Sequence, residues 1–240
     1  MTTSYCYDIE TRGVAKLAER MWAPEEYRVP GNIKDPVKLA DHKAAWHNNQ
    51  AEAKAKFIQK AALSPLTGDI VVIGLSNDSG EVTTIEGPEG HIIRSFWQHV
   101  EIGGTQGTKF YNWSGRGAYS VNFDLDFIVT RSRILGIKVP MIVRSGRFYG
   151  PQFVDLAKEF LLYQNDAYLS LSAAAELCGL FEQGVLLKDG TSPRPKLPTD
   201  KIQGANFAHF YDLGAKDRED ALDYLSNDLA LLHCLKLHML

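Results

Sequence analysis

Apolar residues open the chain in a short run, thin out after residue 12, and return in force near residue 70. Ser4–Ile9, within SYCYDIE, reads as a first strand. From about Arg12 to Leu63 the segment is polar and rich in helix formers. Within it, NIKDPVKLADHKAAWHNNQAEAKAKFIQKAAL predicts a helix, with Asp35 as cap, Pro36 at the first helical position and a body of Ala, Lys, Glu and Gln. Its middle is weakly apolar, which predicts an exposed helix within an insertion over the core. SPLTGDIVVIGLS then gives a turn and a buried strand over Asp69–Ser76. NDSG and EVTTIE complete a hairpin.

Helical spacing resumes in HIIRSFWQHV, where Ile92, Phe96 and Val100 share a face. TKFYNW reads as a strand leading into the loop SGRGA, and NFDLDFIVTRSRILGI as an amphipathic helix. FVDLAKEFLL predicts a strand passing into a helix, LSLSAAAELCGL a helix, KDGTSPRPKLPTDK a loop, and REDALDYLSNDLALLHCLKLHML a closing helix. Strands first and mixed helices afterwards predict an α/β domain around a central sheet.

Composition narrows the class. With 240 residues, 45% hydrophobic and 23% charged, the chain suits one large domain, or one domain with an insertion, of an ordinary soluble protein. No apolar stretch approaches the roughly 20 residues that cross a bilayer, and the first residues lack the pattern of a secretion signal. Cys6, Cys178 and Cys234 are scattered without metal-ligand spacing and are expected as three buried thiols in a reducing, cytoplasmic setting. A net charge of −3 gives no global attraction to nucleic acid, although it leaves room for a local basic patch.

The chemistry lies in isolated acids. In a strand, Asp8 and Glu10 point to the same face, about 7 Å apart. Two carboxylates on one buried face repel each other and resist desolvation, so a metal ion, a basic partner or solvent must compensate. Asp124, in VNFDLDF, stands where a loop meets a helix and reads as either a helix cap or a site residue, with Asp126 close enough to compete. Asp228 lies in the final helix beside an apolar run, and Tyr224, four residues earlier, shares its face.

YDIET, NFDLDF and YLSND, in this order, resemble the three motifs of the DEDD 3′–5′ exonucleases of ribonuclease-H-like fold. The Tyr-x-x-x-Asp spacing of Tyr224 and Asp228 resembles the DEDDy branch, found in family-B DNA polymerases and in stand-alone, including phage, exonucleases. GDIVVIG, FVDLAKEF and LSLSAAAELCGL fit the same pattern. The resemblance implies a mixed central sheet flanked by helices, with residues 12–63 as a helical insertion in a single exonuclease domain. It also implies two Mg²⁺ or Mn²⁺ ions held by Asp8, Glu10, Asp124 and Asp228, and it prefers Asp124 to Asp126. Two such ions supply both a nucleophile at neutral pH and charge stabilisation on the attacking and leaving oxygens. Hard oxygen ligands suit them, so neither His nor Cys is required. Tyr224 would orient the attacking water, since a phenol with pKa near 10 stays protonated at neutral pH.

The implied activity is 3′–5′ hydrolysis of single-stranded DNA or frayed 3′ ends to nucleoside monophosphates, with a polymerase or repair partner. An RNA substrate is a rival, because the 2′-hydroxyl contacts that decide it have no sequence signature. A non-catalytic nucleic-acid-binding or replication scaffold on the same fold is another. Asn122, Phe123 and Trp113 are candidates to touch terminal nucleotides, with core packing the alternative for the two aromatics. Lys54, Lys56, Lys60 and the Arg131–Arg147 segment are candidates to face phosphates. The seven histidines form no shared motif, and GGTQGTK lacks the Gly-Lys-Ser/Thr ending of a phosphate loop.

Overall fold

The first strand, β1 (Ser4–Gly13), alternates cleanly between two environments. Tyr7 and Ile9 enter an apolar cluster on one side, and Cys6 packs with Leu156 and Leu232 on the other. Asp8 and Glu10 share the parity of Cys6, so they face that second side. In the computed structural model, residues 4–115, 122–145, 148–162, 168–182, 192–197 and 199–240 are described. Parts of the predicted loops at 114–118 and 188–201 fall outside them.

The chain divides into two compact units, Arg12–Asp69 and the remainder. The smaller unit holds α1 (Ala15–Met21), an extended stretch, α2 (Pro36–Gln59) and a short 3₁₀ turn. Helix α2 begins as its sequence predicts: Asp35 caps it by accepting from Val37 N at 2.9 Å, and Pro36 follows. None of its residues is fully buried, as its weakly apolar middle predicts. Leu39, Trp46, Gln50, Ala53 and Ile58 are its half-covered positions. Tyr27 lies 5.4 Å from the Trp46 ring, Trp22 lies 5.5 Å from Phe57, and Glu25 N donates to Gln50.

The larger unit is built on a five-stranded sheet in the order β3-β2-β1-β4-β7. Strands β2 (Gly68–Asn77) and β3 (Val82–Glu86) are antiparallel; β1 runs parallel to β4 (Lys109–Asn112), and β4 parallel to β7 (Phe153–Asp155). The sheet is therefore mixed. Helices α3 (Glu89–Gly104) and α4 (Phe123–Ile134) cover the Tyr7 face, where Phe96 lies 5.4 Å from Tyr7. A two-stranded ribbon, β5 (Arg144–Ser145) with β6 (Phe148–Tyr149), precedes β7 and was not expected from the sequence. After α5 (Leu156–Leu161) and α6 (Leu171–Leu177) comes α7 (Phe207–Leu213), also unexpected, and then the long α8 (Ala215–Met239).

Helix α8 lies against the face that Cys6 shares with the two acids. Gly74 on β2 makes the close approach workable: a Cβ there would sit 2.5 Å from Leu229 Cδ1 and 3.1 Å from Leu225 Cγ. Near its end, buried Lys236 donates to Ser4 Oγ at 2.9 Å and to Asp78 at 3.2 Å, fastening the helix to the start of β1.

Two expectations need correction. Cys178 is only half-buried, while Cys6 and Cys234 are buried. Arg131 does not face phosphates: it is buried and forms a two-pronged ion pair with Glu89, at 2.7 and 2.6 Å. Arg147 lies outside the described residues.

Candidate metal centre

Parallel strands place their C-terminal ends at one edge of the sheet, where open α/β folds collect their sites. Here β1 delivers Asp8 and Glu10, β4 ends in Asn112 and β7 in Asp155. The pattern of α8 supplies the rest. Leu225, Leu229 and Leu232 are buried, which turns Asp228 inward beside them. Asp8, Glu10 and Asp228 each offer a carboxylate oxygen, and these oxygens lie within 4.8 Å of one another.

Asp124 arrives by a different route. Asn122 caps α4, accepting from Leu125 N at 3.1 Å, so the cap is Asn122 and not Asp124. Asn112 donates to Asp124 Oδ2 and to Asn122 Oδ1, both at 2.9 Å, and Asn122 returns a bond to Asn112 Oδ1 at 2.9 Å. Asp124 is thus buried and held by an amide pair, while Asp126 is half-exposed. It stands outside the three-carboxylate group but near enough that the charge of Asp8 acts on it.

Burial and crowding dominate the electrostatics. Burial pushes the Asp8 carboxyl up to about 7, Asp228 adds to the rise, and Lys196 opposes it. Glu10 is raised well above its ordinary range by burial and then by the charges of Asp8 and Asp228. Burial raises Asp124 as well, with Asp8 as the next cause. Asp228 is raised by burial despite its bond to Lys196. Burial likewise lifts the Tyr224 phenol, with Asp228 and Glu10 adding to it, so Tyr224 is protonated at neutral pH.

Lys196 is the residue that sequence reasoning missed. Its ammonium forms an ion pair with Asp228, donates to the Tyr224 hydroxyl at 2.5 Å and sits 3.9 Å from the centre of the Tyr224 ring. It comes from a Pro-rich stretch without periodicity, where no pattern marks one lysine among several. Lys196 acts on Asp8, Glu10 and Asp228, and the second oxygen of Asp228, Oδ1, is buried without a hydrogen-bond partner among the described residues. The donor set is all carboxylate, which suits a hard divalent cation over a soft metal.

Beside these acids opens a cavity of about 380 Å³, lined by Asp8, Asp228 and Lys196 and by Trp113, Tyr168, Ser170 and Ser172 among others. Trp113 is half-buried and donates its indole N–H to Leu169 O at 2.9 Å. Phe123 is half-buried and packs against Phe127 at 5.5 Å, and Asn122 is buried in the amide pair. Lys196→Met should strengthen divalent-cation binding, read as the metal concentration at half-maximal thermal stabilisation. A gain of roughly tenfold is expected, because a hydrogen bond to a charged group is worth about 1.5–3 kcal/mol.

No family model and no curated protein matches the chain. Among solved structures, the family B DNA polymerase of the hyperthermophilic archaeon Pyrobaculum calidifontis is similar, with a TM-score of 0.56 and 14% identity. The match covers 99% of this chain and 24% of the polymerase, so the chain corresponds to about a quarter of that protein's length. At this identity the likeness concerns architecture: an α/β fold with a mixed five-stranded sheet and flanking helices, of the ribonuclease-H-like kind.

Proposed function

We propose that the protein is a divalent-metal-dependent 3′–5′ exonuclease of the DEDDy type, releasing nucleoside monophosphates from single-stranded DNA or frayed 3′ ends. The convergence of Asp8, Glu10 and Asp228, drawn from the two ends of the chain, carries this reading. Asp8, Glu10 and Asp228 would hold Mg²⁺ or Mn²⁺, with Asp124 serving a second ion. When bound, the ions supply charge stabilisation on the phosphate and a nucleophile at neutral pH.

The chain's own residues do the positioning. Tyr224 keeps its proton, so its hydroxyl orients a water and does not abstract from it. Lys196, between Tyr224 and Asp228, brings positive charge to the place where a scissile phosphate would meet the carboxylates. Asn112 and Asn122 fix the rotamer of Asp124. The adjoining cavity is of a size to take a terminal nucleotide, with Trp113 and Tyr168 as surfaces for the base. Asn122 and Phe123 belong to the wall behind Asp124, and contribute through it.

A gel time course with 5′-labelled DNA and RNA strands, in Mg²⁺, Mn²⁺ or EDTA, tests the reading. A ladder shortening from the 3′ end only with metal supports it, and the faster strand assigns the substrate. A folded protein that shortens neither strand would sink it in favour of a binding module. Tyr224→Phe should slow turnover by roughly a hundredfold, the scale of a misoriented reactant, and leave the metal-induced rise in melting temperature unchanged.

A further inference from the structure

The smaller unit differs in charge from the rest of the chain. Residues 12–69 hold ten Lys and Arg against seven Asp and Glu, a net of +3; the remainder holds 16 against 22, a net of −6. A unit of positive charge attached to a negative body has an electrostatic preference of its own.

Helix α2 organises that charge. Lys43, His47, Gln50 and Lys54 recur at steps of four, three and four residues, which places them along one line spanning about 16 Å. Lys43, His47 and Lys54 are exposed. The neighbouring face is the covered one, where Trp46 and Phe57 meet Tyr27 and Trp22. The acids of α2, Asp41 and Glu52, fall on the opposite side at this periodicity, and there Lys56 neutralises Glu52 at 2.6 Å. Neither Lys43 nor Lys54 makes an ion pair among the described residues. Two lysines, with His47 and Gln50 between them, therefore form a line that carries no α2 acid and runs beside a row of aromatics; the Trp46 ring lies 4.9 Å from that of His47, and Glu25, Glu26 and Arg28 border Trp46.

We propose that this Lys43–His47–Lys54 line binds the phosphate backbone of a single-stranded polynucleotide, giving the insertion a strand-holding role separate from hydrolysis. The charge complementarity selects a polyanion, and the adjoining aromatic rings favour one that carries bases. The inference rests on the nucleic-acid part of the preceding function.

The test is fluorescence anisotropy of a labelled oligo-dT strand on the full chain in EDTA, across a range of salt. Against wild type, Lys43→Ala/Lys54→Ala should weaken binding roughly tenfold and flatten the log–log salt slope by about 1.4, the value for two phosphate contacts on a single strand. Lys56→Ala, removing a cation already paired, should change neither. The double variant should melt with wild type and hydrolyse a small nucleotide ester at the wild-type rate. Unchanged affinity and slope in the double variant would overturn the proposal and leave this face to a protein partner. Lysine-dependent binding without shortening of the strand in Mg²⁺ would uphold it while sinking the exonuclease reading.

Discussion

Asp8→Ala is expected to reduce nuclease turnover by at least a thousandfold and to leave the fold standing. The carboxylate lies within 4.8 Å of those of Glu10 and Asp228, so its loss removes one of the three oxygens that would hold a cation there. Metal ions contribute several kcal/mol of transition-state stabilisation, and each 1.36 kcal/mol is tenfold in rate. Asp228→Ala should match it in activity but not in stability. Asp228 accepts from Lys196, so its removal leaves an ammonium without its carboxylate. Among the described residues Asp8 accepts a local bond from Ile9 N at 3.0 Å and no other, and it is crowded by the charge of Asp228. In EDTA at neutral pH, Asp8→Asn should therefore melt at or above the wild-type temperature. A melting temperature several degrees below wild type would show that Asp8 supports the fold, and full turnover would remove it from the site.

The second large effect couples pH to metal. Burial raises Asp8 from 3.8 to about 7, and Glu10, Asp124 and Asp228 in the same direction. A carboxyl with a raised folded pKa binds its proton more tightly in the native state than in the unfolded chain. Its contribution is complete below the unfolded pKa near 4 and is lost as pH climbs through the folded value. Metal-free protein should thus lose thermal stability between about pH 4 and 7, where ordinary paired carboxylates would gain it. A divalent ion should reverse this, since it needs the deprotonated ligands and displaces their protons. At a hundredfold excess over its dissociation constant the ion adds about 2.7 kcal/mol, or roughly 5–10 °C for a chain of this size. Calorimetric scans with and without Mg²⁺ at pH 5 and pH 8 should show the gap widening at the higher pH. A gap independent of pH would mean that the acids are not the ligands.

Sequence pattern carried the site as far as local geometry reaches. Two residues apart in a strand fixes the common face of Asp8 and Glu10, and four apart in a helix fixes that of Tyr224 and Asp228; neither needs a tertiary contact. The sheet followed for the same reason, from short apolar runs bounded by turns. Lys196 was illegible because its position depends on how an irregular, proline-rich segment crosses α8. The cap of α4 stayed open in the sequence, where Asp124 reads as either cap or site residue; Asn122 is also a good cap former, and only the folded amide pair distinguishes them. Arg131 looked like a surface cation until Glu89 was seen opposite it.

Between Asp8 and Asp228 lie nearly all the residues of the chain, yet their oxygens meet within 4.8 Å. Closing so long a loop is entropically slow, and contacts of this sequence separation form late in folding. Early intermediates that lack either β1 or α8 would contain no divalent site at all. Refolding followed by cation uptake should then report the last cooperative step, lagging behind helix formation in α2, whose contacts are local. The cluster of Asp8, Glu10 and Asp228 exists only in the finished molecule, so on the proposed reading a half-folded chain would have no means of cutting a strand.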